Sequence, residues 1–139
     1  MGADAHRVRA AKRWERLLMI EHVSFEVADL PRSAVFYDAL FTRLGARRLH
    51  DGEAAIAYGR VDAGFWIVAR GRTPGPSFGH VAFEAAGRAA VDAAHASGLA
   101  AGGTDAGAPG PRPQYGRSYY AGYLSDPDGY RVELVSGGH

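Results

Sequence analysis

The feature that most constrains this sequence is an internal repeat. Residues 21–27 read EHVSFEV and residues 79–85 read GHVAFEA, so His22 and His80 hold the same place in two strand-like segments. In each segment, apolar side chains alternate with polar or small ones, which is typical of a β-strand with one buried face. A repeat of this kind predicts two copies of one structural unit, each covering the open apolar face of the other.

Each copy of the heptapeptide is followed by a helix and further strands. In the first copy, Asp29 and Pro31 favour the start of a helix over 32–44, and Gly45 favours its end. Three short strand-like runs follow the first helix. The second heptapeptide is likewise followed by a predicted helix, over 87–97. The order predicts an α+β fold in which two βαβββ modules form a curved mixed β-sheet cup, with the helices on its outer face.

The same patterns predict the boundaries of the modules. The first module spans 19–70 and the second spans 78–136, with a Gly- and Pro-containing linker at 71–77. Residues 1–18 are predicted to be a basic extension outside the core, and 137–139 a short tail. Together, the two modules are expected to form one domain.

The pattern of the second module is weakest after its helix. A strand is expected near 99–101, and 102–117 is expected to be a loop because it is rich in Gly and Pro. Two strands follow, at about 118–125 and 130–136. The sequence Asp126-Pro127-Asp128-Gly129 between them is typical of a turn.

Composition narrows the classes of function. The formal net charge of the 139 residues is +1, so no overall basic field favours nucleic acid. The chain has no cysteine, which excludes disulfides and thiolate metal sites. No apolar run approaches the ~20 residues that a membrane span needs, and residues 1–18 lack the apolar stretch of a secretory signal. A cytoplasmic protein without membrane or nucleic-acid partners is therefore expected.

Three residues on the polar strand faces are candidates for metal binding. His22 and His80 alternate with apolar neighbours in their strands, and Glu133 does the same in YRVELV. Two imidazoles and one carboxylate can bind a divalent ion and leave positions open for a substrate. A single histidine in a strand is usually just solvated. A histidine at the same position of both repeated heptapeptides, however, favours a metal site. Such ligands accept Fe, Mn, Ni, Co or Zn.

Three segments resemble the vicinal oxygen chelate superfamily: HVSFEVADLPRSAVFYDALFTRLGA, GHVAFEA and YLSDPDGYRVELV. Its members include glyoxalase I, extradiol dioxygenases, and fosfomycin- and bleomycin-resistance proteins. The resemblance covers about residues 19–136 and implies paired βαβββ modules, often assembled as a homodimer. It also implies one divalent metal ion held by His22, His80 and Glu133.

The resemblance leaves the reaction open between lyase or isomerase chemistry and ring-cleaving dioxygenase chemistry. Glyoxalase I enzymes add a carboxylate ligand on the last strand of the first module, whereas 63–70 contains no Asp or Glu. Extradiol enzymes carry a substrate-contacting tyrosine where Tyr123 stands, but they also use a histidine shortly before the second ligand, and 63–79 contains none. A fosfomycin-type transferase shares the three ligands, yet no cluster of Lys and Arg for a phosphonate is evident.

Aromatic residues supply the other predicted site positions. Tyr123 is predicted to hydrogen-bond the substrate and, with Glu133, to take part in catalysis. Tyr58, Trp66 and Tyr119 are predicted to line the substrate cleft, which suits a small, partly apolar molecule with an oxygen that binds the metal. The alternative is a non-catalytic protein that binds a drug or metabolite, as bleomycin-resistance proteins do, although those generally lack the three ligands.

Overall fold

The computed structural model describes residues 19–138, so the predicted extension at 1–18 lies outside the described residues. The first module contains β1 (Val23–Val27), α1 (Leu30–Thr42), β2 (Arg47–Asp51), β3 (Ala55–Gly59) and β4 (Phe65–Ala69). The second module contains β5 (His80–Glu84), α2 (Arg88–Ala100), β6 (Thr104–Pro111), β7 (Tyr120–Ser125) and β8 (Arg131–Ser136). Neither helix of residues 19–138 combines the length and apolar character that crossing a membrane requires.

Each module forms its own four-stranded mixed sheet. The strand orders are β1-β4-β3-β2 and β5-β8-β7-β6. In both sheets the first strand pairs in parallel with the last, and the other neighbours are antiparallel. The predicted α+β fold of two βαβββ modules is confirmed. Within residues 19–138, however, no strand pairing joins the two sheets, so β1 and β5 each keep one unpaired edge.

The ends of α1 follow from its capping residues. The Asp29 side chain accepts a hydrogen bond from the backbone N–H of Arg32 at 3.0 Å, and Pro31 occupies the first turn. Gly45, at φ 72°, takes the left-handed conformation that reverses the chain after the helix. The local signals in the sequence therefore predict this helix, although its expected range of 32–44 is shifted by two residues from the observed Leu30–Thr42.

One hydrophobic core joins the modules. The helix α1 packs on β2, β3 and β4, while α2 packs on β6, β7 and β8 and also against α1. Aromatic rings connect the halves, since the Phe83 ring lies 4.8 Å from that of Phe41 and 5.1 Å from that of Phe65, centroid to centroid. The apolar faces of both sheets thus point to the helices, which leaves the opposite faces free for a site.

The turn between β7 and β8 ties the second module to the start of α1. The nearly buried Asp128 carboxylate accepts from the Arg32 guanidinium at 2.8 Å and from the Ser33 hydroxyl at 3.3 Å. It also accepts from the backbone N–H of Ala28 at 3.3 Å. A carboxylate here meets free backbone donors and the positive end of the helix dipole, so this turn is a connection between modules as well as a link between strands.

The expectations for 99–101 and 102–117 are wrong. Residues Leu99 and Ala100 extend α2, and the third-last strand is instead β6, within the stretch expected to be a loop. The strand β6 lies at the edge of its sheet, and its pairing with β7 shifts register twice. Edge strands and bulges tolerate proline, because the ladder does not need its missing N–H there. Composition alone therefore misrepresents this segment.

Replacing Gly103 with Ala is expected to lower the free energy of unfolding by about 1–3 kcal/mol. A Cβ at Gly103 would lie 2.5 Å from the Phe36 ring and 2.8 Å from the carbonyl oxygen of Gly98, and both neighbours are fixed by packing or backbone. Gly110→Ala is the matched control, since a Cβ there meets nothing within 4 Å. Urea denaturation of both variants tests this, and equal losses would contradict the packing argument.

Candidate functional site

The strands β5 and β8 bring His80 and Glu133 together. Their register pairs Ala82 with Glu133 and His80 with Arg131, and the alternate residues of β8, Val132 among them, are buried in the core. His80 and Glu133 therefore lie on the sheet face opposite the helices. The Nε2 atom of His80 is 3.1 Å from Oε1 of Glu133, with the imidazole 43% exposed and the carboxylate 3% exposed.

Two tyrosines, one in β7 and one directly before it, lie beside this carboxylate. The Tyr119 hydroxyl donates a hydrogen bond to Oε2 of Glu133. Tyr123 is the register partner of Glu133, and its ring meets the His80 ring edge-on at 5.9 Å between centroids. The bond to Glu133 raises the pKa of Tyr119, and burial, with the nearby carboxylate, raises the pKa of Tyr123 to about 12. Both hydroxyls are therefore protonated donors at neutral pH.

The His80–Glu133 pair fits part of a metal site. Ligand atoms at about 2.0–2.2 Å from one ion lie about 3 Å apart when they are neighbours in its coordination sphere. The 3.1 Å between Nε2 and Oε1 matches that separation. The His80 side chain is partly exposed to solvent, so an ion could reach its Nε2 atom.

His22 lies apart from this pair. It directly precedes β1, is half exposed, and its Nδ1 is 3.0 Å from Oε1 of Glu21. Residues 19–138 of one chain contain no group of three or more His, Asp or Glu side chains that could hold a metal ion. The predicted ligand set of His22, His80 and Glu133 is therefore not gathered by a single chain, and it stays a prediction.

The first sheet places its predicted cleft residues on opposite faces. Trp66 pairs in register with Ser24 and packs beside His50 at 5.3 Å between ring centroids, on the face away from the helices. Tyr58 faces α1 instead, where it is buried and donates to the Asp38 carboxylate at 2.8 Å. Burial raises the pKa of Tyr58. Trp66 thus shares the face expected for the cleft, whereas Tyr58 belongs to the core.

A separate cavity of about 240 Å³ opens between the two modules. Its lining includes Tyr58, Phe65 and Phe83 but none of the predicted metal ligands. Arg60 crosses its wall and donates to the backbone oxygens of Leu44 and Glu84. The lining is mainly apolar, with Arg60, Asp62 and Glu84 as its charged members, and the His80–Glu133 pair lies outside it.

The sequence model of the Glyoxalase/Bleomycin resistance protein/Dioxygenase superfamily matches residues 19–134, nearly the whole described chain. This chain belongs to that superfamily, which is the vicinal oxygen chelate superfamily. Among curated proteins, none matches the sequence significantly.

Solved structures of the superfamily share the fold. A glyoxalase/bleomycin resistance protein from Albidiferax ferrireducens T118 is 35% identical over 85% of this chain and 98% of that one, with a TM-score of 0.73. The fosfomycin resistance protein FosX from Mesorhizobium loti is 21% identical over 87% and 93% of the two chains, with a TM-score of 0.64. A glyoxalase I mutant from Zea mays is 24% identical, with a TM-score of 0.66, and this chain covers 44% of its length.

The superfamily fold also gathers two residues that sequence reasoning missed. The guanidinium carbons of Arg131 and Arg112 lie 4.3 Å and 5.6 Å from the centroid of the Tyr123 ring. Arg131 could have been found, because it precedes Glu133 by two positions in a strand and so shares its face. The place of Arg112 beside Tyr123 did not follow from the sequence, because Arg112 lay in a segment expected to be a loop, whereas the structure makes Thr104–Pro111 a strand.

Proposed function

We propose that this protein is a metal-dependent enzyme that chelates adjacent oxygens of a small substrate to a divalent metal ion. The observation that carries the proposal is the His80–Glu133 pair, spaced at 3.1 Å like neighbouring ligands of one ion and flanked by protonated tyrosines. Fe, Mn, Ni, Co and Zn all suit nitrogen and oxygen ligands of this type. When bound, the ion would supply Lewis-acid stabilisation of negative charge on the substrate oxygens.

The third ligand in this proposal is His22 of a second copy, in a homodimer. The strands β1 and β5 each have one unpaired edge, and an open edge can pair with a strand of another chain. Exposed apolar side chains precede both strands, namely Met19 and Ile20 before β1 and Phe78 before β5. Pairing β1 of one copy with β5 of the other would cover these residues and join two half-sheets into a cup.

The chain's own residues have separate roles in this hypothesis. Tyr119 holds the Glu133 carboxylate through its hydrogen bond, which limits the orientations of that ligand. Tyr123 lies beside the pair and donates a hydrogen bond to a substrate oxygen that gains negative charge. Trp66 of the first sheet provides an apolar wall. The reaction is lyase or isomerase chemistry, or ring-cleaving dioxygenase chemistry.

A mixing experiment tests the proposed site and separates it from a metal-free binding protein. Wild-type protein purified without chelator or metal-affinity resin is expected to contain stoichiometric metal by elemental analysis. His22→Ala and Glu133→Gln are each expected to lose it. Chains of the two variants that are unfolded together and refolded should regain about a quarter of the wild-type sites, because half of the dimers are mixed and each has one intact site.

The mixing experiment has an internal control. If one chain formed the whole site, the mixture would bind no more metal than either variant alone. If wild-type protein bound no divalent ion at all, the non-catalytic binding protein would replace the enzyme as the better description. Size-exclusion chromatography of each sample verifies that loss of metal is not loss of the dimer.

A further inference from the structure

The face that carries His80 and Glu133 also carries positive charge that metal binding does not use. Arg131 is the register partner of His80, and its guanidinium carbon is 4.3 Å from the centroid of the Tyr123 ring. Arg112 directly follows β6, and its guanidinium carbon is 5.6 Å from the same centroid. Two guanidiniums, one from β8 and one from just after β6, therefore converge on the tyrosine beside the proposed ligands.

Neither guanidinium is neutralised within the described chain. None of the ion pairs of residues 19–138 includes Arg112 or Arg131. Arg112 donates one Nη2–H to the carbonyl of Ala108 at 2.8 Å. Its Nε atom is buried and has no hydrogen-bond partner among these residues. Buried donors nearly always have an acceptor, so the Arg112 guanidinium is short of acceptors among the described residues.

A glycine in β6 makes room for this arrangement. Gly107 is the register partner of Tyr123, and a Cβ there would lie 3.0 Å from the Tyr123 ring and 3.5 Å from Nη2 of Arg112. The φ of Gly107 is 157°, which disfavours other residues as well. The absence of a side chain thus lets the guanidinium of Arg112 lie against the tyrosine ring.

We infer that Arg112 and Arg131 bind a carboxylate of the substrate, adjacent to the oxygens that would reach the metal. The inference rests on the proposed function for the position of the site. Guanidiniums match carboxylates in shape and charge and form paired hydrogen bonds with them. Around the Tyr123 ring, two guanidiniums accompany the single carboxylate of Glu133. These surroundings are positive even before a divalent ion enters, and they favour an anionic ligand.

The test compares oxalate with oxamate by isothermal titration calorimetry on the full-length protein, both metal-free and loaded with Mn²⁺. The two probes have nearly the same planar shape and adjacent oxygens and differ by one negative charge. Wild-type protein is expected to bind oxalate more tightly than oxamate. Arg131→Gln and Arg112→Gln are each expected to weaken oxalate binding about tenfold or more, because each removes a charge-assisted hydrogen-bond donor, and to weaken oxamate binding less.

Controls separate this inference from the proposed metal site. Arg47→Gln changes an exposed arginine on the other sheet and is expected to leave oxalate affinity unchanged. Loss of Mn²⁺ binding with retained, arginine-dependent oxalate binding would defeat the metal proposal and support the anion site. Wild-type oxalate affinity in both arginine variants, or no oxalate binding by wild-type protein in either state, would overturn the inference. Thermal unfolding confirms that each variant is folded.

Discussion

Glu133→Gln is expected to lower the affinity of the protein for a divalent metal by about 100-fold or more, since even residues that only support a ligand cost 10–100-fold. Glutamine keeps the size of the side chain and removes its charge, so the loss reports on ligation. Isothermal titration calorimetry of the metal-free protein with Mn²⁺ or Zn²⁺ measures this affinity. Tyr119→Phe is expected to have a smaller effect, because it removes only the hydrogen bond that orients Oε2.

Glu84→Gln provides the matched control for this substitution. Glu84 lies on the same face of the same sheet as His80, in β5, but its side chain is exposed. The contact with Arg60 is made by the backbone oxygen of Glu84, not by its carboxylate. Glu84→Gln should therefore retain wild-type metal affinity. Equal losses in both variants would indicate a general effect of charge on this face and would contradict a defined ligand role for Glu133.

Glu133→Gln should have little effect on the free energy of unfolding of the metal-free protein. The Glu133 carboxylate is nearly buried between His80 and Tyr119, and burying a carboxylate carries a larger desolvation cost than burying a neutral amide. Glu133→Gln is therefore expected to leave the unfolding free energy unchanged or slightly higher while metal affinity falls. Such a trade between stability and binding is typical of functional sites.

Much of the fold was predictable from local chemistry and periodicity. Alternation of apolar and polar residues placed His80 and Glu133 on one face, and their proximity follows because β5 and β8 are neighbours. Asp29 and Gly45 predicted the ends of α1 in the same way. These signals succeed because each acts within a few residues of the chain.

Properties that depend on distant partners were not predictable. Tyr58 was predicted to line the cleft. It lies instead on the same strand face as Ile56, towards the helix, where its hydroxyl donates a hydrogen bond to Asp38. The position of Arg112 depends on the irregular edge strand β6, whose Gly and Pro content had predicted a loop. Periodicity assigns a residue to one face or the other, but which face holds the site depends on packing between elements.

The turn between the last two strands illustrates the same limit, with consequences for stability. Its first residue, Asp126, is buried and accepts from the Tyr37 hydroxyl at 2.6 Å. It also accepts from the backbone N–H groups of Asp128 at 2.9 Å and Tyr130 at 2.8 Å. The sequence predicts a turn here, whereas the link to α1 through Tyr37 emerges only when the modules pack.

Asp126→Ala is expected to lower the free energy of unfolding by about 3–5 kcal/mol, since three donors lose their acceptor in the protein interior. Asp126→Asn is the matched control and should cost about 1 kcal/mol or less, because its amide oxygen can still accept from the backbone and its NH₂ can donate to the Tyr37 oxygen. Urea denaturation at neutral pH measures both. Similar losses in the two variants would contradict the role assigned to the acceptor.

Acid titration distinguishes the charge of Asp126 from its hydrogen bonds. Burial raises the pKa of this carboxyl above the ordinary value of 3.8 despite the hydrogen bonds from Tyr37 and the backbone, which lower it. The folded state therefore holds the proton more tightly than the unfolded state, and this contribution to stability is present below pH 3.8 and is lost as pH rises through the folded pKa. Asp126→Asn cannot titrate, so the unfolding free energy of Asp126→Asn minus that of the wild type should increase across this window and then level off. If this difference in unfolding free energy stays constant with pH, Asp126 has the same pKa in the folded and unfolded states. The effect of Asp126 on stability would then come from its hydrogen bonds alone.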